Sequence, residues 1–187
     1  MKTSTLLGLA LIFGLSTGCA TTRNLETTPV VAADGSGQKI VEDKALAFTV
    51  STTINAPAEV VWAVLTDSEG FNTWNSTVTD FKGTMALGET VEVVSIDSPD
   101  RTFKLEVSEF TQNSRMVWED GMPMGMFLGV RTYELQARGE ASTVFVMTEV
   151  FSGGFLKSIS KSLPDMVPTF ETFAADLKKE AEARAAG

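Results

Sequence analysis

From Ala45 to Ile54, apolar and β-branched residues run with Thr and Ser in the alternating pattern of a strand. Asn55-Ala56-Pro57-Ala58-Glu59 then predicts a helix start. Proline suits the first helical position because its missing N–H has no partner there anyway, and Glu59 faces the positive helix end. Val60 to Leu65 continue this helix, and Asp67 to Trp74 read as a second, shorter one interrupted at Gly70. The period then changes to short alternating runs at Val78 to Phe81, Glu89 to Ile96, Thr102 to Phe110, Arg115 to Glu119, Phe127 to Ala137 and Thr143 to Phe151. Turn signals separate them: Gly83, Asp97-Ser98-Pro99-Asp100, Gln112-Asn113, Gly121 with Pro123, and Gly139. Short connections of this kind make hairpins, so the sheet is expected to be antiparallel. Helical spacing returns in Leu156, Ile159, Leu163, Met166, Phe170, Phe173 and Leu177, one continuous apolar stripe. Pro164 and Pro168 fall inside it and predict a kink or a broken start, since each removes a backbone hydrogen bond.

The N-terminus has a different pattern. Met1, Lys2 and a short polar stretch precede the apolar run Leu6 to Leu15, and Ser16-Thr17-Gly18-Cys19 follows it. That is an export signal, too short to span a bilayer. The ending resembles a bacterial lipobox, in which small residues precede a cysteine that receives a diacylglycerol before the signal is removed. An ordinary secretory signal cut near Ala20 is the alternative. The lipobox reading makes residues 1–18 a lipoprotein signal peptide and Cys19 the lipidated residue. Its acyl chains would together form a stable membrane anchor. Ala20, where many Gram-negative lipoproteins of the inner membrane carry aspartate, directs the expectation to the outer membrane, facing the periplasm. From Ala20 to about Asp43 the chain is rich in Thr, Ala, Gly and Asp without sustained periodicity, so 19–44 is expected to be a flexible tether and 45–183 the folded domain.

Composition narrows the chemistry. The chain has 15 basic and 24 acidic residues, a net charge of −9 and no run of lysine or arginine, which argues against nucleic-acid binding. With no histidine, and with its single cysteine assigned to anchoring, the domain lacks the means for disulfides, thiol catalysis, zinc binding or histidine-based acid–base chemistry. No metal or cofactor is expected, and a domain of about 140 residues holds a single core.

Several segments together carry a resemblance: I-N-A-P-A-E-V-V-W from Ile54 to Trp62, L-T-D at Leu65 to Asp67, F-N-T-W-N at Phe71 to Asn75, and G-T-M-A-L-G-E at Gly83 to Glu89. They continue in V-W-E-D-G at Val117 to Gly121, R-T-Y-E-L at Arg131 to Leu135, and T-E-V-F-S-G at Thr148 to Gly153. In this order they resemble the START-like or SRPBCC superfamily, in particular its polyketide cyclase/dehydrase-like branch, over nearly all of Ala45 to Glu182. The resemblance implies an α+β helix-grip fold: a seven-stranded antiparallel sheet curved around a long C-terminal helix, two short helices after the first strand, and a deep apolar cavity between sheet and helix.

Alternation places Phe145, Met147, Glu149 and Phe151 on one face of their strand, and Gly129, Arg131, Tyr133 and Leu135 on one face of the preceding strand. A two-residue turn at Gly139-Glu140 would split these sets. A three-residue turn from Arg138 would unite them and set Arg131 opposite Met147, diagonal to Glu149. The odd-length turn is favoured, because glycine suits the left-handed bulge such turns need. Arg131 and Glu149 then pair within an apolar face, either to orient a polar ligand head or as a purely structural bridge. Phe103, Trp118, Tyr133, Phe145, Met147, Met166 and Phe170 are the candidate lining. Trp62, Phe71 and Trp74 read as core. Met116, Met122, Met124, Met126 and Met147 form a further cluster, and the loop bearing Met124 is either an adaptable lip over the cavity or a hairpin tucked onto the core.

The leading expectation is a monomeric envelope lipoprotein that binds a hydrophobic small molecule or a lipid. The first alternative is a cyclase or dehydratase using Glu149, Tyr133 or Asp120 as acid or base. The second is a protein-interaction domain with a filled core.

Overall fold

In a computed structural model describing residues 31–187, eight antiparallel strands form one sheet with order β1-β2-β8-β7-β6-β5-β4-β3. The strands are β1 (Asp34–Val41), β2 (Ala45–Ile54), β3 (Val78–Lys82), β4 (Thr90–Ser95), β5 (Phe103–Thr111), β6 (Arg115–Gly121), β7 (Leu128–Ala137) and β8 (Thr143–Ser152). Two short helices, α1 (Ala58–Leu65) and α2 (Phe71–Trp74), follow β2; α3 (Leu156–Ile159) and α4 (Val167–Ala186) follow β8. The fold is the expected α+β helix-grip, with α4 lying across the sheet against β1, β2 and α1.

Three expectations need correction. The sheet has eight strands, not seven, because residues expected to belong to the tether form β1. This strand buries little side chain, so periodicity could not reveal it. What holds it is the ladder to β2, running from Gly37 opposite Val50 to Val41 opposite Leu46, and a bond from the Gly37 amide to Glu171 Oε1 of α4 at 2.8 Å. Glycine eases this approach of α4: a Cβ at 37 would lie 3.0 Å from Val167 Cγ1, so the neighbouring side chain would have to give way.

The second concerns the C-terminal stripe: the break that its prolines predict is present, and it divides the stripe into two helices and does not merely kink one. The stripe breaks after Ile159 and resumes at Val167. Pro164 lies in the break, whereas Pro168 sits in the first turn of α4, where a missing N–H costs nothing. Leu156 and Phe170 remain buried on either side.

The third correction is the β7–β8 turn. Residues 138–142 form a five-residue connection, closed by the Arg138 amide bonding to the Ser142 carbonyl at 2.7 Å, with Gly139 at φ +79°. Its odd length unites the two inward-facing sets as expected, but Arg131 stands directly opposite Glu149 and Tyr133 opposite Met147.

The inner part of the concave face is filled by rings. Phe173 of α4 meets Tyr133 at 5.8 Å, Phe145 at 6.0 Å and Trp74 at 5.4 Å between centroids, and Phe71 bridges Trp74 and Phe81. Trp62 is buried as well. This matches the core role expected for Trp62, Phe71 and Trp74.

If β1 is integral to the domain, a chain beginning at residue 44 should unfold at a lower urea concentration than one beginning at residue 31. Coincident midpoints would show β1 to be dispensable.

Candidate functional site

Three rungs run across the sheet on its concave side. The inner rung joins Met116, Tyr133, Met147 and Val50; the middle rung joins Trp118, Arg131, Glu149 and Phe48; the outer rung joins Asp120, Gly129, Phe151 and Leu46. Aromatic packing closes the inner rung and the one beyond it, where Tyr133, Met147 and Phe145 are all buried. Over the middle and outer rungs the face stays open, and a cavity of about 120 Å³ lies there. On the scale of known apolar cavities this holds a single aromatic ring.

Its walls come from four places. Trp118, Arg131, Glu149, Gly129 and Phe151 form the floor; Val93, Phe103 and Leu105 form one side; Phe127 closes the edge; and Ile159, Leu163, Pro164 and Met166 form the roof. Gly129 helps make this space: a Cβ there would lie 3.3 Å from the Phe151 ring. Phe151 also stacks on Phe127 at 5.7 Å.

Of the candidate residues, the structure brings Phe103, Trp118, Arg131, Glu149, Met166 and Asp120 to the cavity. Tyr133, Phe145 and Met147 lie one rung or more too deep, in the closed core. Phe170 is buried too, beneath the Arg131 guanidinium at 5.2 Å. Met124 is 96% exposed on the loop after β6, in a left-handed conformation at φ 61°. Phe127 at the end of that loop lines the cavity and packs against the core, and the loop is tied to the start of α3, where the Phe155 amide bonds to the Met126 carbonyl at 2.8 Å. Met122 is exposed as well, while Met116 is buried.

The Arg131–Glu149 pair is real and largely buried. Arg131 Nε donates to Glu149 Oε2 at 2.9 Å, and Nη2 bonds to the same oxygen. Burial pulls the guanidinium pKa down, but the neighbouring carboxylate more than reverses this, so Arg131 stays charged above its ordinary range. Burial also pushes the Tyr133 phenol up to about 12; the Arg131 cation opposes this and the Glu149 charge reinforces it. The Tyr133 hydroxyl and Trp118 Nε1 are buried without a hydrogen-bond partner. Asp120 has only a long, exposed contact with Arg101, at 3.8 Å.

Asp97, Ser98 and Arg101, between β4 and β5, line the cavity, although the sequence marks the first two only as turn residues and gives Arg101 no role. A signal for them exists, since that turn joins two strands whose inward residues, Val93 and Phe103, both face the cavity. Asp97 Oδ1 accepts from the Thr169 hydroxyl at 2.8 Å, while its Oδ2 is buried and unpartnered. Among the described residues, no group of three His, Cys, Asp or Glu side chains could hold a metal ion.

The model of the family described as polyketide cyclase / dehydrase and lipid transport matches residues 45–182. Solved structures with the same fold include an aromatase/cyclase from Streptomyces sp. R1128, 14% identical, with TM-score 0.58 over 76% of this chain and 98% of that one. A norcoclaurine synthase mutant from Thalictrum flavum, in complex with a transition-state analogue, is 11% identical, with TM-score 0.57 over 79% and 98%. A protein from Thermus thermophilus is 20% identical, with TM-score 0.56 over 74% and 99%. Among curated proteins none matches.

Tyr133 is the sole tyrosine, so tyrosinate absorbance reports it alone. Its ionisation midpoint in the folded protein is expected at about 12 against the ordinary 10.0. Because the folded pKa is the higher one, its stabilising contribution is full below the unfolded pKa and is lost as pH rises through the folded one. A midpoint at the ordinary value would place the phenol in water.

Proposed function

The chain belongs to the polyketide cyclase / dehydrase and lipid transport family, and on that premise we propose that it is a lipid-anchored envelope protein that binds a small hydrophobic molecule, or one end of a lipid, over the outer part of its sheet. The observation that carries this reading is the cavity itself, walled by Phe103, Trp118, Phe127, Phe151, Leu163 and Met166 and made roomier by the missing side chain of Gly129. Transfer of apolar surface from water into such a space is worth roughly 25 cal/mol per Å², enough to drive binding alone. The ionisable groups favour binding over catalysis: Glu149 is engaged by Arg131, and the Tyr133 phenol lies below the cavity and holds its proton.

Attachment at Cys19 and residence at the outer membrane are part of this proposal, and both lie outside the described residues. The surface supports a role beside lipid. Five of the six large hydrophobic residues exposed among those described, Val41, Ile96, Met122, Met124 and Phe155, sit at the end of the sheet where the cavity lies; Leu87 is at the opposite end. β1 begins toward that opposite end, about 25 Å away along its eight residues of strand. The fifteen residues from Cys19 to Asp34 span at most about 50 Å, so this stretch can reach back to set the cavity end against the membrane.

Two outcomes test the proposal. Native mass spectrometry of the protein purified from its own envelope should show a retained small molecule, and Gly129→Leu should lose it with an unchanged circular dichroism spectrum; ligand-free protein in every preparation would sink the binding reading. Separately, Cys19→Ser should move the protein from the membrane fraction to the soluble fraction. Unaltered membrane association would remove the lipid anchor from the account.

A further inference from the structure

Arg131 holds Glu149 by one carboxylate oxygen only. Its Nε donates to Oε2 at 2.9 Å and its Nη2 converges on the same atom, so neither Glu149 Oε1 nor Arg131 Nη1 has a partner among the described residues. Neither atom is walled in. The fully enclosed polar side-chain atoms without a partner belong to Trp74, Asn75, Asp97, Trp118 and Tyr133, and Oε1 and Nη1 are outside that group, so both keep accessible surface. That surface opens in one direction. Along the middle rung the pair is flanked by buried Trp118 and Phe48, Phe170 of α4 covers the guanidinium, and Tyr133 and Met147 fill the rung beneath. What the two side chains retain, 21% of Arg131 and 14% of Glu149, therefore faces the cavity that both line. Its floor offers one cationic donor and one anionic acceptor side by side, beneath the apolar walls of Phe103, Phe151 and Met166.

Resting on the proposed binding role, we propose that the cavity selects a neutral ligand of the carboxamide class: a ring-sized apolar body whose polar end joins a carbonyl to an N–H. The carbonyl accepts from Arg131 Nη1 and the N–H donates to Glu149 Oε1. The two protein groups already touch, so one small head reaches both. Each bond is charge-assisted, the stronger kind of hydrogen bond. The zero net charge of the pair sets the selectivity. An ammonium drawn to Glu149 lies beside the Arg131 cation, and a carboxylate drawn to Arg131 lies beside the Glu149 anion, so each gives up part of its attraction. A ketone serves the guanidinium but leaves Oε1 shut off from water without a donor, which is costly for a carboxylate.

Benzamide, acetophenone and α-methylstyrene share one heavy-atom shape: the first carries carbonyl and amino group, the second the carbonyl alone, the third neither. Titrated into the full chain and followed by NMR at the Gly129 amide, benzamide is expected to bind about tenfold more tightly than acetophenone, the scale of one charge-assisted hydrogen bond. Benzoate and benzylamine should each bind more weakly than benzamide. A cavity in which the ion pair takes no part gives a different order, with α-methylstyrene tightest, because it loses the least hydration. Arg131→Met together with Glu149→Leu removes the pair whole and strands neither charge. In that protein the benzamide advantage should be gone and α-methylstyrene should bind tightest. Any of the other four probes binding the unaltered chain as tightly as benzamide overturns the assignment and leaves the cavity reading standing, and this comparison needs no variant to fold. A benzamide preference that survives in the double variant also overturns it. Failure of all five probes to bind removes both readings.

Discussion

The register of β7 on β8 is the constraint on which the concave face depends. The two strands present Arg131 against Glu149 and Tyr133 against Met147 only because their connection has an odd number of residues. A shift of one residue would put Arg131 and Glu149 on opposite faces of the sheet and break the pair. Gly139, at φ +79°, lets the chain turn in the required sense. From this register follow the ion pair, the floor of the cavity and the closed rung beneath it.

The ion pair marks the boundary between two materials. Below it, Phe173 of α4 packs into a ring cluster with Tyr133, Phe145, Phe71 and Trp74, leaving no room for a guest. Above it, α4 has ended, and the roof is the irregular chain between Ile159 and Val167 together with the neighbouring side chains. A buried charge pair contributes little net stability compared with apolar packing, yet loss of either member would strand the other. Arg131 also stacks on Phe170, so the pair ties the sheet to the first turns of α4.

The fold is legible from periodicity and segment order, because alternation and helical spacing are imposed directly by burial. β1 is not, since its stability comes from backbone pairing and from the approach of α4 to Gly37, neither of which leaves an apolar pattern. The site is legible as a face but not in depth. Alternation distinguishes inward from outward, and so it finds Trp118, Arg131 and Glu149. It cannot say how far along the strand a helix will fill the space, and so Tyr133, Phe145, Met147 and Phe170 read as lining although they are core. Asp97 is hidden by its own turn chemistry, since a D-S-P-D segment explains itself as a connection.

The broken C-terminal stripe separates two quantities that are usually bound together. The roof of the cavity includes Leu163 and Pro164, which belong neither to the sheet ladder nor to α4. Displacing that segment therefore breaks no strand pairing and no turn of the long helix, whereas unfolding the domain breaks both. For a guest held as proposed, displacement of this segment is a local opening that leaves the strand ladder and the ring cluster around Phe173 in place.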